Sequence, residues 1–366
     1  MRIGVPKESA PDERRVALIP ESAAKLVKAG AQVVVAPSAG TEAGFLDAAY
    51  TSAGAEVAGD PAAPFQSDIV VKVRPPTPSE VALLRPGTLL ISLLGSAVSE
   101  ELLKSLSERR VTAMALERVP RITRAQSMDV LSSQSTVSGY KAVLLGAASL
   151  DRFLPMLTTA AGSITPSKVF VIGAGVAGLQ AIATARRLGG VVSAFDVRQA
   201  AKEQVLSLGA TFVGGDLVSA TAEDKGGYAK SQGEAERERT LAAIAAHIPS
   251  QDLVITTALI PGKPAPRLIT AEMIRSMKPG SVIVDLAAEA GGNSELTRPG
   301  ETVRANGVTI IGVTNLASTV PLHASQMFSK NVLTLLQHLI KDNAFAVNLE
   351  DEITKAMVVT HNGTTP

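Results

Sequence analysis

Three glycines and an aspartate carry the sharpest chemical signal in this chain. Gly173, Gly175 and Gly178 follow the apolar run Val169 to Ile172 within the segment SKVFVIGAGVAGLQAIATARRLGGVVSAFDVR, residues 167–198. The order is strand, glycine turn, helix. Gly173 permits a tight turn, Gly175 lets the backbone approach a pyrophosphate, and Gly178 lets the helix pack closely on the strand. Val176 and Ala177 open that helix, whose first N–H groups are unpaired donors for phosphate oxygens. A second strand, Val191 to Phe195, ends on Asp196, 23 residues after Gly173, and Val197 and Arg198 follow it. A carboxylate at that place accepts from both ribose hydroxyls and repels a 2′-phosphate, which favours NAD over NADP. Arg198 argues the other way, since an arginine near this strand end can hold a 2′-phosphate. The acid decides for NAD, because NADP sites usually lack it. A bare glycine pattern also arises from packing alone; strand, helix and acid together make it a dinucleotide signal.

A second group of polar residues lies upstream. The stretch LERVPRITRAQSMDVLSSQS, residues 116–135, breaks the apolar rhythm and holds Arg121, Arg124, Gln126, Asp129 and Ser132 within a dozen positions. Charge runs usually mark a solvated face, but this one mixes both charges with an amide and hydroxyls, the variety that ribose, pyrophosphate and carboxamide would require of a loop. The loop leads into a helix expected over Ser135 to Leu150. Further on, GGDLVSATAEDKGGYAKSQGEAERER, residues 214–239, is polar, carries Gly226 and Gly227 in tandem, and is longer than most connections in an α/β domain. It reads as a surface loop with a charged helix, or as a mobile lid with Tyr228 as its one aromatic.

Proton chemistry has few candidates. Hydride transfer to a keto or imino acid needs a general acid, normally histidine, and a cation for the carboxylate, whereas transfer between two nicotinamides needs only aligned rings and excluded water. The four histidines are His247, His323, His338 and His361. Of these only His323 is a candidate for a cleft, the others falling in helices or the tail. With no cysteine in the chain, disulfides, thiolate nucleophiles and thiolate metal sites are excluded. No histidine or carboxylate cluster has metal-ligand spacing. Arg14 and Arg15, in the loop PDERRVALIP after the first strand, face a crevice or are solvated beside Asp12 and Glu13. Lys72, inside IVVKV, is either at a strand end facing the cleft or buried with a partner.

The elements that must position these residues repeat regularly. Apolar runs at Arg2 to Val5, Gln32 to Val35, Ile69 to Val73, Thr88 to Leu93 and Val111 to Ala115 alternate with helical patterns, which predicts a parallel sheet covered by helices. Later runs at Leu253 to Thr256, Val282 to Asp285 and Val308 to Ile311 extend the dinucleotide sheet, with SITPS before Val169 as linker, and Val320 to Ile340 reads as a long helix returning to the first domain with the tail. The fold expected is α/β, two Rossmann-like doubly wound parallel-sheet domains with a cleft between them: residues 1–133 plus 318–366, a catalytic or docking domain, and residues 134–317, the NAD(H)-binding domain. The chain of 366 residues, 46% hydrophobic, is long enough for both. Its net charge of +1 gives no electrostatic case for nucleic acid or an anionic membrane. The opening MRIGVPKES has no apolar h-region and reads as a strand, and no segment reads as a membrane span.

The motifs RITRAQSMDVLSSQS, GAGVAGLQAIATARRLG, FDVR, GGYAK and VITTALIPGKPAP together resemble the NAD(H)-binding alpha subunit of the proton-translocating NAD(P)+ transhydrogenases, over nearly the whole chain. The resemblance implies hydride transfer between NAD(H) held here and NADP(H) held by a partner component, coupled to proton movement through a membrane component. It implies a homodimer in the cytoplasm, peripheral to the inner face of the membrane through its partner subunits, and the end of the chain soon after the return helix resembles the split form of the family. Carried over by motif, Arg121, Gln126, Asp129 and Ser132 meet the nicotinamide end, with Gln126 positioning the ring that faces NADPH. Asp196 holds the adenosine ribose and Tyr228 sits on the lid. Alanine dehydrogenase is a more distant resemblance, through MRIGVPKE, ERRVALIP and MKPGSVIVDLA; Arg15 and Lys72 match its substrate cations and Glu289 a catalytic carboxylate. Its catalytic histidine is missing, because ISLLGSAVSE stands where that residue should follow the strand. A nucleotide sensor without catalysis remains the third reading.

Overall fold

The computed structural model describes residues 1–95, 98–218, 229, 233–260, 262–341 and 344–365. The chain divides into two compact units, Met1–Gln134 with Ala317–Pro366, and Ser135–Leu316.

The main sheet of the first unit takes six strands in chain order, β1 Arg2–Val5, β2 Gln32–Val35, β3 Glu56–Val57, β4 Ile69–Val71, β5 Leu89–Ser92 and β6 Thr112–Ala115. They pair in parallel in the order β6-β5-β4-β1-β2-β3, and a seventh strand, Val358–Thr360, adds antiparallel to the free edge of β6. The continuous apolar runs follow from burial on both faces: Ile69, Val71, Leu89 and Ile91 pack into one core cluster, Val70 and Leu90 into the other. The helix Pro321–Leu339 contributes Phe328, Val332, Leu335 and Leu336 to the first cluster. Its serines complete the backbone of the loop after β1, Ser325 Oγ accepting the Val16 N–H and Ser329 Oγ the Ile19 N–H, each at 3.0 Å.

In the second unit the helix Val130–Ser149 is followed by an exposed hairpin, β7 Leu157–Thr159 and β8 Gly162–Ile164. Here sequence reading expected only a linker. The sheet proper consists of β9 Lys168–Ile172, β10 Val191–Phe195, β11 Thr211–Phe212, β12 Leu253–Thr256, β13 Val282–Asp285, β14 Thr302–Ala305 and β15 Val308–Gly312, in the order β11-β10-β9-β12-β13-β15-β14. All neighbours are parallel except the antiparallel edge pair β14 and β15. Along β9, Val169 and Val171 enter one core cluster while Phe170 and Ile172 enter the other, so a period of two gives an unbroken apolar run. Both sheets are doubly wound. The order reverses between β1 and β4 in the first unit and between β9 and β12 in the second, the points where ligands of such sheets bind outside the carboxyl ends of the strands.

Candidate dinucleotide site

In the second unit the glycine turn lies at the switch point. Gly173 has φ +94°, and its carbonyl accepts from Thr257 Oγ1 at 2.9 Å, just beyond β12. A Cβ on Gly178 would lie 1.9 Å from the Gly173 carbonyl oxygen, whereas one on Gly175 would meet nothing within 4 Å. Gly178 is thus fixed by packing, and Gly175 faces open space. Gly175 is also the N-cap of the helix Val176–Arg187, with no side-chain cap on its first turn, so the arrangement fits an anionic group at the helix start. Val176 is exposed at the first helical position and Val197 packs at the rim of the core.

Asp196 is buried at the end of β10 and tied to this turn. Its Oδ2 accepts the Ala174 N–H at 2.7 Å. Arg198 reaches back to it with a bidentate fork, Nε to Oδ1 at 2.9 Å and Nη2 to Oδ2 at 2.8 Å. The arginine that would suit a 2′-phosphate is therefore held by the acid expected to take the ribose. A further glycine belongs here and was not singled out from sequence. Gly139 lies in the helix Val130–Ser149, and a Cβ on it would stand 2.1 Å from the Ala177 carbonyl oxygen. In sequence it is only a glycine in a helix; the close approach is a property of the packed structure.

In the first unit the polar loop is a 3-10 turn, Thr123–Met128, anchored by buried Ala125 and Met128 and by Asn331 Nδ2, which donates to the Ser127 carbonyl at 2.8 Å. Gln126 and Arg121 are exposed. The helix begins at Val130 and not at Ser135, because Asp129 caps it: Oδ1 accepts the Ser132 N–H at 2.9 Å and Oδ2 the Ser132 hydroxyl at 2.6 Å. The polar run SSQS hides the helical register there. Arg121, Gln126, Asp129 and Ser132 are thus brought onto one short segment, and Tyr228 lies outside the described residues.

The switch point of the first sheet holds a buried charge cluster. Lys72, just past β4, lies 3.3 Å from Glu8 and 3.1 Å from Glu80. Arg15 is forked onto Glu13 and donates to Gln134 Oε1 at 2.9 Å. Arg14 instead is on the surface, 3.7 Å from Glu42. Burial pushes the Glu8 carboxyl above its ordinary range, opposed by Lys72 and by the amides of Val73 and Arg74, and Glu13 adds to the rise. Of the histidines, His247 is half-buried beside the core, 2.8 Å from Ser193 Oγ and edge-on to Phe170, with burial lowering its pKa. His338 pairs with Asp351 and His361 with Thr112. His323 is exposed, as is Glu289.

Comparison with known proteins places this geometry. The alanine dehydrogenase/PNT N-terminal domain matches residues 4–138 and the corresponding C-terminal domain residues 142–365. The chain belongs to this family. It is 50% identical to an NAD(P) transhydrogenase subunit alpha chain of Rhodospirillum rubrum, over 99% of this chain and 97% of that protein. The crystal structure of transhydrogenase from Sinorhizobium meliloti superposes with a TM-score of 0.90 at 46% identity, covering all of both chains. Alanine dehydrogenase of Bacillus subtilis is further away, 32% identical over 99% of this chain and 92% of its own length. Among the described residues no helix is long and apolar enough to cross a membrane.

Proposed function

We propose that this chain is the NAD(H)-holding subunit of a proton-translocating transhydrogenase, a homodimer that exchanges hydride with NADP(H) carried by a partner component, next to a membrane component that moves the protons. The carrying observation is a dinucleotide turn with its acid, Asp196, in a chain that has no histidine before His247. Hydride exchange between two nicotinamides needs no acid or base. Reduction of a keto acid does, and the strand β5 is followed by Leu93, Leu94 and Gly95, none of which can give a proton. Full-length similarity at 50% identity to a transhydrogenase alpha subunit supports the same reading.

The dinucleotide, when bound, supplies the hydride at its nicotinamide ring. The chain's residues would bind, orient and keep water away. The amides of Gly175, Val176 and Ala177 suit the pyrophosphate and Asp196 the adenosine ribose. Arg121, Gln126, Asp129 and Ser132 would take the nicotinamide end, with Gln126 setting the ring, and Tyr228 would close over it. Arg15 and Lys72, the cations that would suit a substrate carboxylate, already have carboxylate partners within the chain. Two measurements test the reading. Asp196→Ala should weaken NADH binding by about 1–3 kcal/mol, and equal affinity of the unmodified chain for NADH and NADPH would overturn the cofactor choice. NADH oxidation by pyruvate plus ammonia at ordinary turnover, about 1 to 1,000 per second, would move the assignment to an amino-acid dehydrogenase.

A further inference from the structure

We propose that Arg198 is a displaceable stand-in for the adenosine ribose: its guanidinium occupies the acceptor positions on Asp196 that a 2′,3′-diol needs, and must swing away when a dinucleotide binds. This rests on the assignment of the ribose to Asp196. A carboxylate offers about four lone-pair sites, and all four are in use. Oδ1 accepts the Arg198 amide and Arg198 Nε, both at 2.9 Å, and Oδ2 accepts the Ala174 amide at 2.7 Å and Arg198 Nη2 at 2.8 Å.

The four donors are of two kinds. The amides of Ala174 and Arg198 are backbone, fixed by the glycine turn and by the end of β10. The other two sit on one side chain, and present parallel N–H groups to the two oxygens as a pair of vicinal hydroxyls would present O–H groups. Asp196 is 6% exposed, which leaves no second face of the carboxylate for a diol while the fork is in place. The Arg198 side chain is largely buried, 15% exposed, but its guanidinium hangs on a flexible stem, and side-chain rotation alone would take the fork away.

Two consequences follow. The apparent dissociation constant equals the intrinsic one divided by the fraction of molecules in which the acid is open, so a fork closed ten to one weakens binding about tenfold. The ion pair as a whole carries no net charge, and repels a 2′-phosphate less than a bare carboxylate would. Arg198 therefore sets both affinity and the preference between NADH and NADPH.

The test uses calorimetric titration of the whole chain with AMP, 2′,3′-dideoxy-AMP, NADH and NADPH at fixed ionic strength, with thermal melts as a folding control. The unmodified chain should bind AMP more tightly than the dideoxy compound. Arg198→Ala should tighten AMP and NADH on the order of tenfold, leave dideoxy-AMP within about twofold, and widen the gap between NADH and NADPH. Should that variant fail to fold, Arg198→Lys keeps the charge without the fork and should show a smaller gain of the same sign. AMP binding that is unchanged or weaker in the variant that folds overturns the proposal, as does an equal gain for dideoxy-AMP. An unmodified chain that does not tell AMP from dideoxy-AMP instead removes the ribose from Asp196, and the proposal with it.

Discussion

Replacing Gly139 with alanine sets two effects of opposite sign against each other. Helix propensity alone favours alanine in a helix interior by about 0.8–1.0 kcal/mol. A Cβ at this position, however, would lie 2.1 Å from the Ala177 carbonyl oxygen and 2.9 Å from its carbon. Both are backbone atoms, so no rotamer change relieves the clash. Ordinary contact begins near 3.4 Å, so the helix Val130–Ser149 and the start of the helix Val176–Arg187 must part by 3.4 minus 2.1, about 1.3 Å. Overpacking of this kind costs about 1–3 kcal/mol, occasionally more, and the net loss after the propensity gain is about 0–2 kcal/mol. For a unit of this size that lowers Tm by up to about 8 °C. The displaced helix start also carries the amides proposed to hold the phosphates, so NADH affinity should fall with stability. Gly146→Ala, in the same helix, is the internal control. Its Cβ would meet Leu253 Cδ1 at 2.5 Å, a side-chain end that can turn aside, and the loss should be smaller. Differential scanning calorimetry with NADH titration reads both. A Gly139→Ala chain as stable as the unmodified one, with unchanged NADH affinity, would refute the reasoning.

Asp129 has two roles to separate: Asp129→Ala should lose about 0.5–2 kcal/mol of stability with its cap and also slow hydride transfer. Gln126→Ala, exposed and outside the cap, should slow transfer much more than it weakens NADH binding and leave Tm unmoved; matched losses in rate and binding would make Gln126 a simple contact. Glu8 gives a pH signature. Its carboxyl is raised by burial, so between the ordinary glutamate range and its folded value the folded chain binds more protons than the unfolded one. Stability is then full below the ordinary range and falls as pH rises through the raised value. Glu8→Gln should flatten that slope in denaturant titrations at several pH values, and an unaltered slope would assign it to another group.

Much of this molecule was legible because its chemistry is local. The strands β9 and β12 are buried on both faces and so read as unbroken apolar runs, and the glycine turn with Asp196 is fixed by spacing along one βαβ unit. What escaped lacks a local signature. The two-residue strand β3 is too short for a period to show, and the hairpin of β7 and β8 has no buried face to write into the sequence. The helix start at Val130 was hidden by the polar run after it, although an aspartate three residues before a serine is a readable cap. Gly139 gains its meaning only from Ala177, and Lys72 only from Glu8 and Glu80, partners brought together by the order of strands. Arg198 is two residues from Asp196, yet nothing in that spacing says that the side chain folds back.

The central claim, that this chain exchanges hydride with a nucleotide held by another component, is tested most directly with NADPH deuterated at the transferring C4 position. Quenched-flow mixing of the NAD+-loaded chain with an NADP(H)-binding transhydrogenase component carrying that NADPH should place deuterium in NADH within the range of enzyme turnover, about 1 to 1,000 per second. Without the partner the label should stay where it is. No transfer from the partner while NADH binds normally would contradict the account and leave a nucleotide-binding protein without catalysis.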